Sequence, residues 1–199
     1  LNFKPNLRRL CVFCGSQPGR RPAYAHVADN FGRLLAKRRI GLVYGGGRVG
    51  MMGVLADNVL AAGGEVIGVI PQALVARELA HTSVTELRVV ASMHERKALM
   101  AELSDAFVAL PGGFGTLEEF CEATTWTQLG LHQKPCGLLN VEGFFDMLLG
   151  LFDHAAAEGF IHPEHRAIVV VESDPGRLLD RLADYLPPRQ EKWIDLDET

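Results

Sequence analysis

The densest run of groups able to do chemistry is Leu110-Pro111-Gly112-Gly113-Phe114-Gly115-Thr116-Leu117-Glu118-Glu119. It leads from an apolar strand-like stretch into a helix-like one. Glycines let the chain turn tightly and let a ligand approach the backbone amides. The unpaired N–H groups of a helix start, with the helix dipole behind them, make an anion site. Phosphate is the natural guest, and the Thr116 hydroxyl is a further donor. Thr116 and Glu119 also have the Thr-x-x-Glu spacing of a capping box, a purely structural use of the same residues. A capping Glu, however, does not require three glycines and a proline upstream. At the mouth of a ligand crevice the Glu119 carboxylate could act as a general acid or base. Glu118, about 100° around the helix, should point elsewhere.

Two more segments carry candidate groups. In Ser92-Met93-His94-Glu95-Arg96-Lys97, Ser92 and Glu95 form another capping box, so Glu95 reads as structural. Arg96 and Lys97 follow in the first helical turn, where positive charge opposes the dipole. From charge alone they are solvated cations; at the end of a strand, a phosphate or carboxylate partner would account for them. His94 reads as local packing or a surface group. Tyr44-Gly45-Gly46-Gly47-Arg48-Val49-Gly50 contains G-x-G-x-x-G between a strand and a helix, and Glu65 lies 20 residues beyond Gly45. That spacing matches a dinucleotide fingerprint, although the fingerprint usually belongs to the first strand–helix unit. Alternatively, these amides line the same crevice as the 112–115 loop. His162, His165 and Glu158 give a thin metal hint, but Pro163 and a loop-like setting favour a solvated turn. No metal is assigned, and no serine sits in a nucleophile elbow.

The elements positioning these groups follow from hydrophobic periodicity. Strands are expected over 10–14, 40–44, 66–70, 85–90, 106–110, 136–140 and 168–171. Helices are expected over 23–37, 50–62, 93–103, 117–129, 144–158 and 176–186, and 72–82 is less regular. Short apolar strands separated by helices are parallel strands covered on both faces. The fold class is therefore α/β: a single-domain, Rossmann-like, doubly wound parallel sheet of about seven strands with helices on both faces. Ligands in such sheets bind beyond the C-terminal strand ends, and three of those ends carry glycine. Residues 1–186 form one domain, and 187–199 read as a C-terminal tail.

Composition narrows the function. The chain has 199 residues, 48% hydrophobic and 22% charged, with a net charge of −4. That is a globular balance without the basic face a nucleic-acid polymer demands. No apolar run approaches the roughly 18 residues of a membrane span. Cys11 and Cys14 have C-x-x-C spacing, but on a strand residues i and i+3 point to opposite faces. With Cys121 and Cys136 they read as reduced, packed thiols. Together with the lack of a signal-peptide pattern, this predicts a cytoplasmic protein. The stretch 144–152 is apolar on nearly every side, as expected of a helix either fully buried or half-covered by another subunit, and a subunit interface is favoured because an outer helix normally keeps one polar face.

With P-G-G-F-G-T-L-E-E at 111–119 and M-H-E-R-K at 93–97, the chain resembles the lonely-guy phosphoribohydrolases, which activate cytokinin nucleotides. Their P-G-G-x-G-T-x-x-E hallmark is matched without a gap. Cys14-Gly15-Ser16 and Tyr44-Gly45-Gly46-Gly47 match as well, and the resemblance spans about 10–171. It implies hydrolysis of the N-glycosidic bond of a nucleoside 5′-monophosphate, giving a free base and ribose 5-phosphate. Family substrates are N6-modified adenine nucleotides such as isopentenyladenosine monophosphate, and often AMP. By motif position, Arg96 and Glu119 would be the catalytic pair. Ser16, Gly46, Lys97, Gly112, Gly113, Phe114, Gly115, Thr116 and Thr125 would contact substrate, and Glu78 would lie near the base or ribose. A Rossmann-like homodimer without cofactor or metal is implied.

The same motif has earned family members a lysine decarboxylase label. Such enzymes normally hold pyridoxal phosphate on a lysine. Only five lysines occur here, only Lys97 falls near the crevice, and no second domain is available to enclose the cofactor. Cleavage between ribose and base builds positive charge on the sugar. A carboxylate beside it stabilises that charge and orients or deprotonates water. This is the part expected of Glu119, kept ionised by its helix N-terminus, while Arg96 would hold the carboxylate, the ribose or the phosphate. Two other classes compete: an NAD(P)-dependent oxidoreductase using Gly45–Gly50 and Glu65, and a non-catalytic carrier or sensor binding a phosphorylated ligand at 112–116.

Overall fold

The computed structural model describes residues 7–75 and 80–187. Glu78 and the tail beyond Pro187 lie outside the described residues. The strands are β1 (Arg9–Phe13), β2 (Gly41–Tyr44), β3 (Val66–Pro71), β4 (Glu86–Val90), β5 (Ala106–Ala109), β6 (Cys136–Leu139) and β7 (Val169–Glu172). All pair in parallel, in the order β4-β3-β2-β1-β5-β6-β7. Every residue of β2, β3, β5 and β6 is buried, because helices cover both faces of the sheet.

One face is packed by α1 (Pro22–Lys37), α2 (Gly50–Ala61) and α7 (Pro175–Ala183), through Phe31, Leu35, Leu55, Val59 and Leu178. The other is packed by α3 (Met93–Leu103), α4 (Phe114–Gln128) and α5 (Asp146–Ala157), through Met100, Phe120 and Leu149. Cys11 belongs to the second of these cores and Cys14 to the first, as the strand period requires. The strand order reverses between β1 and β5, so the crevice beyond their C-terminal ends is the switch point where ligands enter such sheets.

Some local expectations are corrected. The segment after His162 is a short helix, α6 (Pro163–Arg166), rather than a turn. Helix α5 starts at Asp146 instead of residue 144 because the Asn140 side chain stops the chain first. Its Oδ1 accepts from the Phe145 N–H at 2.8 Å, and its Nδ2 donates to Asp146 Oδ1 at 2.7 Å. Helix α4 starts at Phe114, three residues before the expected 117.

Candidate active site

Three loops at strand C-termini meet in one place. The Gly15 N–H donates to the Pro111 carbonyl at 3.1 Å, and the Gly15 carbonyl accepts from the Met51 N–H at 3.1 Å. The β1 loop is thereby tied both to the β5 loop and to the start of α2. Gly112 permits a further close approach: a Cβ there would collide with Thr116 Oγ1 and come within 2.9 Å of the Gly15 nitrogen.

The early start of α4 removes the structural use of Thr116 and Glu119. Gly113 is the N-cap residue, and the first intrahelical bond runs from the Leu117 N–H to the Gly113 carbonyl at 3.1 Å. Thr116 is thus the third helical residue and Glu119 the sixth, so the capping box does not form. Phe114, Gly115 and Thr116 precede that first bond, which leaves their amides available to an anion. Gly113 and Gly115 have open space where a side chain would project. No neighbouring group requires the absence of a side chain at either position. Glu119 sits beyond the first turn, where the dipole has largely faded, and Arg96 is a charged neighbour.

Arg96 arrives on α3. The expected capping box holds there: Ser92 Oγ accepts from the Glu95 N–H at 3.1 Å, and the Glu95 carboxylate accepts from the Ala91 N–H at 2.9 Å. One residue later the Arg96 guanidinium turns inward, with Nη2 at 3.4 Å from Glu119 Oε1 and both side chains under a tenth exposed. Its Nη2 lies against Gly45, where a Cβ would overlap it. Its Nε is buried without a protein partner. An unmet donor on a buried cation is costly, and it is capacity that a ligand can use. Arg96 and Glu119 line a cavity of about 280 Å³ together with Gly15, Ser16, Gly45 and the 113–116 loop.

Among the other expected residues, Ser16, Gly113, Phe114, Gly115 and Thr116 line this cavity, and Phe114 is almost fully exposed at its mouth. Gly112 and Gly113, with Gly15 and Ser16, also line a neighbouring cavity of about 250 Å³ floored by Tyr24, Met51 and Phe144. Gly46 is one residue removed from the lining. Lys97 is not brought to the cavity: its ammonium lies 2.5 Å from Glu118 and 3.0 Å from Glu122. Burial opposes its charge, but the hydrogen bonds to those two carboxylates outweigh it and raise its pKa. Thr125 is exposed, with its hydroxyl donating to the Cys121 carbonyl at 2.8 Å. Met52, Leu74 and Met93 line the cavity without any signal in the sequence, and Glu118, expected to point elsewhere, lines it as well.

Glu65 is placed away from the crevice. It precedes β3, at the amino end of the sheet, and pairs with Arg9 at 3.0 Å. The dinucleotide fingerprint therefore lacks its ribose-binding acid. Cys14 sits beside the cavity, but burial, and after it the Glu119 carboxylate, push its thiol well above the ordinary range. A thiol held protonated is a poor nucleophile. Among the described residues no cluster of three or more His, Cys, Asp or Glu side chains could hold a metal ion.

Fold and site together define a Rossmann-like protein with a glycine-rich helix start beside a buried Arg–Glu pair. The sequence profile of the family described as "Possible lysine decarboxylase" matches residues 52–182. A probable cytokinin riboside 5′-monophosphate phosphoribohydrolase of Oryza sativa, LOGL9, is 53% identical over 180 residues, covering 90% of this chain and 79% of the relative. The Arabidopsis thaliana enzyme LOG1, named a cytokinin riboside 5′-monophosphate phosphoribohydrolase, is 50% identical over 192 residues, covering 96% and 90%. The chain belongs to this lonely-guy family, the one resembled in its motifs. The molybdenum cofactor carrier protein of Chlamydomonas reinhardtii superposes with a TM-score of 0.67 at 21% identity, over 87% of this chain and 96% of that one. A molybdenum cofactor binding protein from Rippkaea orientalis gives 0.64 at 24% identity, over 86% and 93%. At such identities the likeness is one of fold.

Proposed function

We propose that the protein hydrolyses the N-glycosidic bond of adenosine 5′-monophosphates, N6-modified or plain, with Arg96 and Glu119 at the reacting centre. Water adds to the anomeric carbon of the ribose, the bond to the base nitrogen breaks, and the base leaves with a proton. The products are free base and ribose 5-phosphate. The observation that carries the site assignment is the buried Arg96–Glu119 pair facing a cavity beside unpaired helix-start amides.

In this reading the amides of the 113–116 loop and the Thr116 hydroxyl hold the 5′-phosphate. That group is remote from the breaking bond, so its binding energy positions the sugar. Glu119 stabilises the cationic sugar and orients or deprotonates water. Arg96 holds the carboxylate in place and offers its free Nε to the substrate.

The protein is further proposed to work in the cytoplasm as a homodimer through α5. No α5 residue is fully buried, and Met147 (88% exposed) and Leu151 (58% exposed) form an apolar i, i+4 stripe. Among the described residues no helix is long and apolar enough to cross a membrane.

The test is chromatography of purified protein incubated with AMP and with isopentenyladenosine monophosphate, beside Glu119→Gln. Free base is expected from wild type, with loss of turnover and retained nucleotide binding in the variant. Full activity in Glu119→Gln would remove Glu119 from the mechanism. Binding without any base release by wild type would favour a carrier.

A further inference from the structure

Gly45, Gly46 and Gly47 form the loop on which the Arg96 guanidinium rests, yet the loop has no side chains to hold its own shape. Three consecutive glycines carry the largest backbone entropy a chain can have, so its order must be imposed from outside. The Gly46 carbonyl accepts from the His81 N–H at 2.9 Å, and Gly47 and Ala80 form an isolated antiparallel bridge. The His81 ring is 3% exposed, and its Nε2 lies 2.9 Å from Asp57 Oδ1 on α2. A carboxylate can only accept, so Nε2–H is the donor. A buried imidazole is an expensive way to fill space that an aliphatic side chain would fill without a hydrogen-bonding requirement. What the ring provides is a directed bond that fixes one orientation.

We infer that His81, anchored by Asp57, is a positioning residue for the reaction: it clamps the Gly45–Gly47 loop and, through Gly45, sets where Arg96 meets Glu119. The inference rests on the assignment of Arg96 and Glu119 to the reacting centre. His81 is not among the residues that line the cavity. Its loss should therefore appear in kcat, with phosphate-dependent binding retained.

The test compares His81→Ala and His81→Gln with wild type for AMP hydrolysis, together with melting temperatures and Glu119→Gln. Gln carries a donor close to the position of Nε2. A shift of the Arg96 guanidinium by a fraction of an ångström predicts a kcat loss of about tenfold or more in His81→Ala, with KM within about threefold. His81→Gln should recover most of that loss. Unchanged kcat in His81→Ala, a loss confined to KM, or a Gln variant no better than Ala at equal melting temperature would overturn the inference. If His81→Ala does not fold, Asp57→Ala at its mostly exposed position replaces it. A kcat reduced by about threefold is then expected, and an unchanged one overturns the clamp. An inactive Glu119→Gln beside an unaffected His81→Ala would defeat this inference alone. A fully active Glu119→Gln would defeat the site assignment and this inference with it.

Discussion

Gly45→Ala separates the chemistry of the site from the stability of the fold. Gly45 does not have a left-handed backbone, so alanine is conformationally acceptable there. The new methyl, however, would overlap Arg96 Nη2, with Met52 Sδ at 3.3 Å as another neighbour. The overlap exceeds about 1 Å when measured against ordinary van der Waals contact near 3.4 Å. The guanidinium is the far end of a long side chain, so it can yield by rotating. Overpacking relieved in this way belongs at the low end of its range, about 1 kcal/mol, or a melting temperature lower by about 2–4 °C. A protein with about 5 kcal/mol of stability to begin with would remain almost entirely folded at 25 °C. The chemistry is less forgiving: a misplacement of about 1 Å costs on the order of 100-fold in rate, or about 2.7 kcal/mol of barrier. Base release from AMP should therefore fall about a hundredfold while the melting temperature drops by only about 2–4 °C. A double-mutant cycle sharpens the test, because Gly45→Ala should add almost nothing once Arg96→Ala has removed the displaced group. Activity within about threefold of wild type, or losses that simply add across the cycle, would refute the contact as the reason for glycine.

The other predictions follow the same geometry. Gly113→Ala should cost stability no more than about 1 kcal/mol, the N-cap preference for glycine over alanine, since its Cβ meets nothing, but raise KM for AMP by about tenfold or more by crowding the phosphate. Gly112→Ala should lower the melting temperature, because its Cβ runs into Thr116 and Gly15; equal behaviour of the two variants in kinetics and melting would sink this distinction. Met147→Glu with Leu151→Glu should convert a dimer to a monomer in sedimentation analysis, and an unchanged mass would move the interface away from α5. His132 is held down to about 4 by burial, with Lys134 adding to the effect. A depressed histidine pKa means that the unfolded chain binds the proton first. Its contribution to stability is therefore complete above about pH 6.5 and is lost as pH falls toward 4. Urea midpoints measured across that window should fall more steeply for wild type than for His132→Asn, and parallel curves would contradict the assignment.

The sheet was legible because its inner strands are short, apolar and interrupted by helices, the pattern that burial on both faces requires. The opposite placement of Cys11 and Cys14 followed from the strand period alone. The Ser92–Glu95 cap was also readable, since both its partners lie within one turn. Thr116 and Glu119 present the same local pattern without forming the cap. What differs is where the helix begins: α4 starts at Phe114, so Thr116 lies inside the first turn, close over Gly112, instead of at the cap. Glu65 had the right spacing from Gly45, but spacing does not report which end of the sheet a residue occupies. Arg96 and Lys97 are adjacent cations about 100° apart on one helix. Only the packing of α4 beside α3 shows that one faces Glu119 and the other faces Glu118 and Glu122. His81 belongs to no motif, and its partner lies 24 residues away, so nothing short of the fold brings it into view.

The arrangement also explains why a fold shared with cofactor carriers can serve hydrolysis. Helix-start amides give affinity for a phosphorylated ligand, but affinity alone binds ground state and transition state equally and does not accelerate reaction. Acceleration requires a group whose interaction strengthens as charge appears on the sugar. In the proposed mechanism the Glu119 carboxylate, one helical turn beyond the glycine loop on the same helix, is that group, with the phosphate fixed at one end of a rigid element and the anomeric carbon presented toward the next turn. Arg96 reaches this carboxylate from a different helix, α3. The cost is that the Arg96–Glu119 geometry depends on how α3 seats against the Gly45–Gly47 loop, which has no side chains of its own. The tolerance of the reaction to substitution should therefore be lowest at glycines and at the residues that order them, rather than at the residues with the largest contact area on the substrate.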